Sequence, residues 1–271
     1  MNKETLAQIN LADYVKYLET FKGSRYPIAM KAGGECLTEE LIDSMHFLHL
    51  LQMYPILIHG GQPQINAALK EKDIVPEMKD GKRVTNKRTL DVVVKTLKHL
   101  RKDVVARLNK NEICAKEIGN IFYGTPSEKY RGDADRVDES RIARCLYERK
   151  IPVIAPFAQT EKGRYFNQNA DSAFRLLVSK LNPKKVIILT GIGGVYKDPE
   201  EKSTLIYDMS ADKLQSFLKS HSGNLGGMRP KLEETQKLVE IGHDVQITSP
   251  KHLLLELLTK KGYGTFCHKR K

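Results

Sequence analysis

The sequence predicts an α/β fold built around a parallel sheet. Short, continuously apolar runs alternate with longer segments of helical periodicity along most of the chain. Continuous apolar runs are typical of strands buried on both faces, which is the usual situation in a parallel sheet. Several of these runs pass through glycines into a helix, and this strand–glycine–helix unit is typical of parallel α/β folds.

The N-terminal half is predicted to repeat a strand and a helix. Residues 1–22 carry an apolar stripe with helical spacing and predict a helical arm ahead of the first strand. Strands follow at 26–35 and 55–64, each leading into a helix, at 38–54 and 64–72. Asp80 and Gly81 between extended flanks predict a hairpin over 77–85. A long helix over about 86–109 completes this half.

The C-terminal half continues the alternation, with 112–138 read as short strands and turns around an extended stretch at 114–120. The predicted helices lie at 138–149, 167–181 (after a polar loop), 210–220, 221–242 (after a glycine loop) and 251–262. The predicted strands lie at 151–158, 184–198, 244–250 and 263–269. No long linker separates domains, and a mild boundary is expected near residue 180.

Composition limits the class of protein. The 271 residues are 40% hydrophobic, enough for a sizeable core, and no apolar run approaches the ~20 residues of a membrane-spanning helix. The N-terminus lacks the pattern of a secretory signal. The four cysteines lack metal-ligand spacing and predict reduced thiols in a cytoplasmic protein, with no metal site.

The charge balance favours anionic partners. The formal net charge is +12, from 45 basic and 33 acidic residues. The basic residues are scattered, and their dense runs do not interleave aromatic residues in a base-stacking pattern. A phosphate-bearing metabolite is therefore favoured over nucleic acid.

Four pairs of glycines end strands or loops. A parallel sheet has its ligand crevice at the carboxyl ends of its strands, where glycine lets backbone N–H groups approach a phosphate. One such pair is more typical of a tight turn, whereas four favour a polyanion site. Neither GxxxxGK[ST] nor GxGxxG occurs, so a nucleotide site needs another architecture. The pairs are Gly33–Gly34, Gly60–Gly61, Gly193–Gly194 and Gly226–Gly227.

Three charged residues beside these turns suit phosphoryl transfer. Lys31 precedes the first pair and Lys231 follows the last, and two ammonium groups can stabilise a transferring phosphoryl group. Asp171, in NQNAD (167–171), can orient both. Each lysine alone also fits a surface salt bridge, and NQNAD also fits a helix-capping loop.

Two kinds of donor suit a carboxylate substrate. Arg83 follows the predicted hairpin turn, and arginine binds carboxylates through a bidentate fork. Asn167 and Asn169 can donate from their side-chain amides. An exposed hairpin arginine remains the alternative for Arg83.

Six motifs in order, MKAGG, IHGGQPQI, DGKRVT, NQNAD, LTGIGGVY and GGMRPK, strongly resemble the amino-acid kinase family and, within it, the N-acetylglutamate kinases. The resemblance covers about residues 12–267. It implies a three-layer αβα sandwich around a mainly parallel sheet, with 23–271 as the kinase domain, divided into a substrate lobe (about 23–180) and a nucleotide lobe (about 181–271). It also implies that ATP, with Mg²⁺, phosphorylates the side-chain carboxylate of N-acetyl-L-glutamate in arginine biosynthesis.

The resemblance also implies residue roles. Lys31 and Lys231 would stabilise the transferring phosphoryl group, and Asp171 would organise both. The substrate-binding residues would be Gly33, Gly34, Gly61, Gln62, Arg83, Asn167 and Asn169. The nucleotide-binding residues would be Gly191, Gly193, Gly194, Tyr196, Asn224 and Gly227. No general base is required, because a carboxylate is already ionised at neutral pH.

Two segments resemble arginine-regulated members of the family. The N-terminal arm resembles the helix that links dimers into hexamers, so a homo-oligomer is expected. ELLTKKGYGT (256–265) resembles an arginine site, in which Glu256, Gly262 and Gly264 would take up the effector. The chain looks closest to the kinase domains of bifunctional synthase-kinases; it stops where the acetyltransferase domain would begin, so acetyltransferase activity is not expected.

Two departures from the family pattern leave alternatives open. HGGQ places Gln62 where a third glycine is usual, and Gly191 stands where an aspartate is usual. The first bears on turnover and substrate identity, the second on one nucleotide contact. The alternatives are a kinase for a related acyl-amino acid, such as an aminoadipate derivative, and a catalytically weak arginine-sensing domain.

Overall fold

The computed structural model describes residues 15, 19, 21, 24–79, 82–110, 113–221, 225, 227–259 and 262–269. The strands are β1 (Ile28–Ala32), β2 (Ile56–His59), β3 (Met78–Lys79), β4 (Lys82–Arg83), β5 (Ala115–Ile118), β6 (Phe122–Tyr123), β7 (Arg136–Val137), β8 (Ile151–Ile154), β9 (Phe157–Gln159), β10 (Tyr165–Asn167), β11 (Lys185–Leu189), β12 (Asp208–Ser210), β13 (Val245–Thr248) and β14 (Thr265–His268). The helices are α1 (Glu39–Leu50), α2 (Gln62–Lys70), α3 (Lys87–Lys110), α4 (Ser140–Tyr147), α5 (Ala170–Leu181), α6 (Ala211–Ser220), α7 (Met228–Glu240) and α8 (Leu253–Leu258).

Eight of the described strands form the central sheet, in the order β12–β14–β13–β11–β1–β2–β8–β5. Neighbouring strands pair in parallel, except for the antiparallel pair β13–β14. The prediction of a mainly parallel sheet is therefore confirmed. Strand β1 lies near the middle, between β11 and β2, so the loops that follow these three strands leave the sheet side by side.

Helices cover both faces of this sheet. Successive strand residues point to opposite faces, and in β1 Ala29 packs in one core while Ile28 and Met30 pack in the other. The first core contains residues of α4, α5, α6 and α7, and the second contains residues of α1, α8 and the C-terminal part of α3. This is the three-layer αβα arrangement. Lys31 shares the face of Ala29, which α5 covers.

A smaller sheet, in the order β10–β9–β6–β7, corrects one predicted strand. The run 151–158 does not form a single strand: β8 ends at Ile154 in the central sheet, and β9 begins at Phe157 in the smaller one. Pro156 lies at the break, where it lacks an N–H donor and disfavours helical backbone at Ala155. The antiparallel pairing of β9 with β10 then places Asn167 beside Phe157.

Several other predicted elements have clear outcomes. The hairpin is confirmed by the antiparallel pair β3–β4. The predicted helix over 251–262 is wrong at both ends, because a 3₁₀ turn spans Pro250–His252 and α8 stops at Leu258. The arm over 1–22 lies outside the described residues apart from Val15, Glu19 and Phe21. Among the described helices, none is long and apolar enough to cross a membrane.

His59 ends β2 and is fully buried. Its Nδ1 lies 2.8 Å from the carbonyl oxygen of Gly60, so Nδ1–H donates and the ring is held beside the glycine turn. Burial lowers the pKa of His59 to about 4, so the imidazole is neutral in the folded protein near neutral pH. A neutral, enclosed histidine holds the turn in place.

We expect the stability of the protein to fall as the pH is lowered from about 6.5 to about 4, in part through His59. In this window the unfolded chain protonates His59 and the folded chain does not, which amounts to roughly 3 kcal/mol at most. His59→Asn keeps a donor for Gly60 and removes the titration. Urea unfolding at pH 7.5, 6 and 5 should therefore show a shallower pH dependence in the variant, and equal slopes would contradict the assignment.

Candidate active site

A cavity of about 160 Å³ opens at the carboxyl ends of β1 and β2. Its walls come from the glycine turns after these strands, the β3–β4 hairpin, the loop around 127–133, the β10–α5 junction and the first turn of α7. We call it the acceptor cavity. Segments far apart in sequence meet here because the sheet order places the ends of their strands together.

Lys31 and Asp171 form a buried ion pair in this cavity. Nζ of Lys31 lies 2.5 Å from Oδ1 of Asp171, and the two residues are 3% and 9% exposed. The alternative that Lys31 forms a surface salt bridge, which the sequence left open, is therefore wrong. A buried ion pair is costly to desolvate and contributes little net stability, so its presence in a cavity indicates a functional role.

Lys231 lies in the first turn of α7, and its Nζ donates to the carbonyl oxygen of Gly227 at 3.1 Å. Burial lowers the pKa of Lys231, the Lys31 ammonium lowers it further, and the carboxylates of Asp171 and Glu35 act in the opposite direction. Asp171 thus bonds directly to Lys31 and acts on Lys231 through its charge. The two lysines and Asp171, predicted together, do line one cavity.

The two glycine turns touch each other across the floor of the cavity. A Cβ atom on Gly34 would lie 2.9 Å from Cα of Gly61, and one on Gly61 would lie 2.7 Å from Cδ1 of Leu100. Side chains do not fit here, so the backbone of the turns lines the cavity. Gln62 follows as the first residue of α2, and its exposed side chain is part of the cavity wall. Gly33 also lines the cavity.

Arg83 is buried, with 8% of its surface exposed, so the alternative of an exposed hairpin arginine is wrong. Its Nη2 donates to Oδ1 of Asn66 at 2.6 Å, and burial lowers its pKa. The Asn167 amide donates to Oγ1 of Thr85 at 3.0 Å, and that hydroxyl donates to the carbonyl of Arg83 at 2.9 Å. The hairpin and the end of β10 therefore form one connected wall.

Asn169 caps α5. Its side-chain oxygen accepts the backbone N–H of Asp171 at 2.7 Å, so the helix-capping alternative holds for this residue. Asn169 also lines the cavity. The cap fixes the start of α5, and this positions the carboxylate of Asp171 against Lys31.

A second cavity of about 320 Å³ adjoins the first. We call it the donor cavity. Gly191 and Tyr196 line it together with apolar side chains of α6, α7 and the preceding loops, and the Tyr196 hydroxyl donates to the carbonyl of Ile192 at 3.1 Å. Glu35 and Lys231 line both cavities. The donor cavity thus has apolar walls and charged groups where it meets the acceptor cavity.

Three of the other predicted nucleotide residues, Gly193, Gly194 and Gly227, do not line the donor cavity. Gly193 has a positive φ of 82° and packs against Ser249, and a Cβ on Gly194 would lie 2.5 Å from Cδ1 of Leu205. Gly227 is the exposed N-cap of α7, with open space where a Cβ would be. Asn224 lies outside the described residues.

In the predicted effector segment, a hydrogen bond joins the side chain of Glu256 to the backbone of the loop that follows its helix. Oε1 of Glu256 accepts the backbone N–H of Tyr263 at 2.6 Å. Burial raises the pKa of Glu256, while the N–H groups of Tyr263 and Gly264 act in the opposite direction. A Cβ on Gly264 would lie 2.1 Å from the carbonyl oxygen of Ile247, whereas the nearest atom to one on Gly262 is 4.0 Å away. Packing alone requires glycine at 264.

Glu35, Gln168 and Arg131 also line the acceptor cavity and were not selected from the sequence. Glu35 follows the first glycine pair in MKAGGE, and Gln168 lies inside NQNAD, so both stand next to residues that were selected. Arg131 reaches the cavity from a loop that carries no recognisable motif. Its position depends on backbone bonds that tie the loop to Asn167, such as Gly132 N–H to the Asn167 carbonyl at 3.0 Å.

The model of the amino acid kinase family matches residues 27–249. The chain is 31% identical to the acetylglutamate kinase of Thermosynechococcus vestitus, over 94% of this chain and 92% of that protein. It is also 31% identical to the acetylglutamate kinase of Porphyra purpurea, over 88% of this chain and 90% of that protein.

Solved structures share the fold. The N-acetylglutamate synthase of Neisseria gonorrhoeae, complexed with coenzyme A and N-acetyl-glutamate, is similar with a TM-score of 0.83 at 22% identity. That match covers 96% of this chain and 63% of the synthase, so the chain spans less than two thirds of that protein. Giardia carbamate kinase has a TM-score of 0.68 at 15% identity, over 92% of this chain and 100% of its own.

We expect Gly264→Ala to destabilise the protein and Gly262→Ala to leave it nearly unchanged. The added methyl at 264 collides with the backbone carbonyl of Ile247, which predicts a loss of roughly 1–3 kcal/mol. At 262 the nearest atom is at van der Waals distance. Urea unfolding of both variants measures the difference, and equal stabilities would show that this packing does not constrain Gly264.

Proposed function

The chain belongs to the amino acid kinase family, and from this premise we propose that it transfers the γ-phosphoryl group of ATP to the side-chain carboxylate of N-acetyl-L-glutamate, a step of arginine biosynthesis. The acetylglutamate kinases at 31% identity support the choice of reaction. One observation of the structure supports it most: Lys231 belongs to the walls of both cavities, beside the Lys31–Asp171 pair. An acceptor in one cavity and ATP in the other would meet at this lysine.

The reaction requires little covalent chemistry from the protein. The acceptor carboxylate, already ionised at neutral pH, forms a new P–O bond to the γ-phosphorus while the bond to ADP breaks and ADP leaves. The ammonium groups of Lys31 and Lys231 stabilise the charge spread over the transferring oxygens. Asp171 positions Lys31, and its negative charge helps Lys231 to stay protonated.

The donor cavity suits ATP. Its apolar walls, with Tyr196 and Gly191, fit a purine ring, and its charged end at Lys231 fits the phosphates. Mg²⁺ would arrive on the ATP phosphates, where it neutralises charge that builds up on the oxygens. Among the described residues, Glu35 is the carboxylate that lines both cavities, so it would be the side chain that helps to hold the metal.

The acceptor cavity suits a dicarboxylate. The guanidinium of Arg83 lines it from a buried position and fits the carboxylate that is not phosphorylated. Asn167 and Asn169 add amide groups to the same wall. The backbone N–H groups of the glycine turns at 33–34 and 61 would receive the carboxylate that reacts.

We further propose that arginine regulates the activity through the segment 256–265. A structure of the Neisseria gonorrhoeae synthase is complexed with L-arginine, which supports an arginine site on this fold. Glu256 lies in α8 and bonds to the loop that ends in Gly264, so a ligand at this carboxylate would compete with the loop backbone. Assembly into a homo-oligomer through the N-terminal arm and a cytoplasmic location remain part of this proposal.

The decisive experiment is an assay of acyl phosphate formation, trapped with hydroxylamine, in the presence of ATP and Mg²⁺. N-acetylglutamate, N-acetylaspartate and N-acetylaminoadipate are compared as acceptors, with and without arginine. We expect the highest kcat/KM with N-acetylglutamate and a change of rate on adding arginine. A preference for N-acetylaminoadipate would show that the acceptor is this longer acyl-amino acid. If no acceptor is turned over and arginine binds measurably, an arginine-sensing domain would be favoured.

A further inference from the structure

Two buried nitrogen atoms in the wall of the acceptor cavity are hydrogen-bond donors without a hydrogen-bond partner among the described residues. They are Nη1 of Arg83 and Nε2 of Gln168, and both side chains line the cavity. The two residues are 8% and 6% exposed, so water does not readily replace the missing partner. A buried donor without an acceptor costs about 1–3 kcal/mol. Because both side chains belong to the wall of the cavity, a molecule bound there is the candidate source of the missing oxygen atoms.

The orientation of the Gln168 amide is fixed by the protein. The backbone N–H of Ala134 donates to Oε1 at 3.1 Å, so the oxygen is paired with Ala134 and the NH₂ group has no acceptor among the described residues. The backbone on either side is also held. Asn167 N–H donates to the Tyr130 carbonyl at 2.8 Å, and Asn169 caps α5. Gln168 thus presents a donor that cannot easily turn into an acceptor.

The two donors differ in chemistry. The guanidinium of Arg83 carries a charge and matches a carboxylate in a bidentate fork, whereas the neutral amide of Gln168 matches a neutral carbonyl oxygen. N-acetylglutamate carries one group of each kind besides the carboxylate that reacts. We propose that Gln168 donates to the acyl carbonyl oxygen of the acceptor and thereby selects N-acylated amino acids over free ones. This inference rests on the proposed function.

Selection follows because a free amino acid has an ammonium group in place of the acyl amide. An ammonium only donates hydrogen bonds, so the Nε2 group of Gln168 would stay unpaired. The unpaired amide group disfavours the unacylated substrate.

Two variants separate this role from a structural one. Gln168→Glu keeps an oxygen that accepts from the Ala134 N–H and removes the NH₂ donor. Gln168→Met keeps the side-chain volume and removes both the oxygen and the NH₂ group. In both variants we expect the KM for N-acetylglutamate to rise roughly fivefold to a hundredfold, as for a lost buried hydrogen bond, with the KM for ATP unchanged within about twofold. The ratio of kcat/KM for N-acetylglutamate to that for free glutamate should fall in both. Gln215→Met, an exposed site on α6 outside both cavities, is the control.

The outcomes are distinct. If Gln168→Glu keeps the normal preference for N-acetylglutamate over glutamate while Gln168→Met loses it, Gln168 only holds the loop at Ala134. The inference would then be wrong. Normal selectivity in both variants would also overturn it. If the wild-type protein shows no turnover, the proposed function fails first. Calorimetric binding of N-acetylglutamate then decides, because equal affinity in wild type and Gln168→Glu would overturn the role of Gln168.

Discussion

The contact between Lys31 and Asp171 joins the middle strand of the central sheet to the first turn of α5, at 2.5 Å and almost out of reach of solvent. Taking both charges out of water is expensive, and neither side chain can move away without leaving the other charge buried alone. The end of β1 and the start of α5 are therefore held in fixed relation. The glycine turns, the Asn169 cap and the start of α7 are all arranged around this contact.

The order of strands explains why two cavities meet there. β1 has β2 on one side and β11 on the other. The turn after β2 forms part of the acceptor cavity, and the turn after β11 forms part of the donor cavity. Lys31, near the end of the strand between them, lines the acceptor cavity, and α7 brings in Lys231, which lines both cavities. The fold thus places two lysines that are 200 residues apart in sequence, Lys31 and Lys231, beside one cavity.

Sequence reasoning identified the parts of the site that carry a strong local pattern. Lys31, Asp171 and Lys231 each stand next to a glycine turn or a helix start, and β1, β2 and β11 are apolar enough to be recognised as buried strands. The region 112–138 was read as short strands and turns, but the smaller sheet could not be assembled from the sequence because its strands have two or three residues, too few to show a period. The loop of Arg131 is bonded to Asn167 at the edge of that sheet, so the place of Arg131 in the cavity could not be read from neighbouring residues, whereas Gln168 lies inside NQNAD, next to residues that were selected. Gly193 and Gly194 were assigned to the nucleotide from the resemblance of LTGIGGVY, and that assignment stays a prediction; their packing against Ser249 and Leu205 could not be read from the motif.

We propose that phosphoryl transfer takes place between the ammonium groups of Lys31 and Lys231. The most direct measurement compares Lys231→Ala with Lys237→Ala, an exposed lysine on the same helix, for kcat in hydroxylamine-trapped turnover and for the calorimetric Kd of N-acetylglutamate. The claim predicts that Lys231→Ala lowers kcat roughly 100- to 1,000-fold, as for a lost transition-state donor, while the Kd changes little and Lys237→Ala behaves as wild type. A near-normal kcat in Lys231→Ala would contradict the claim and remove Lys231 from the reaction.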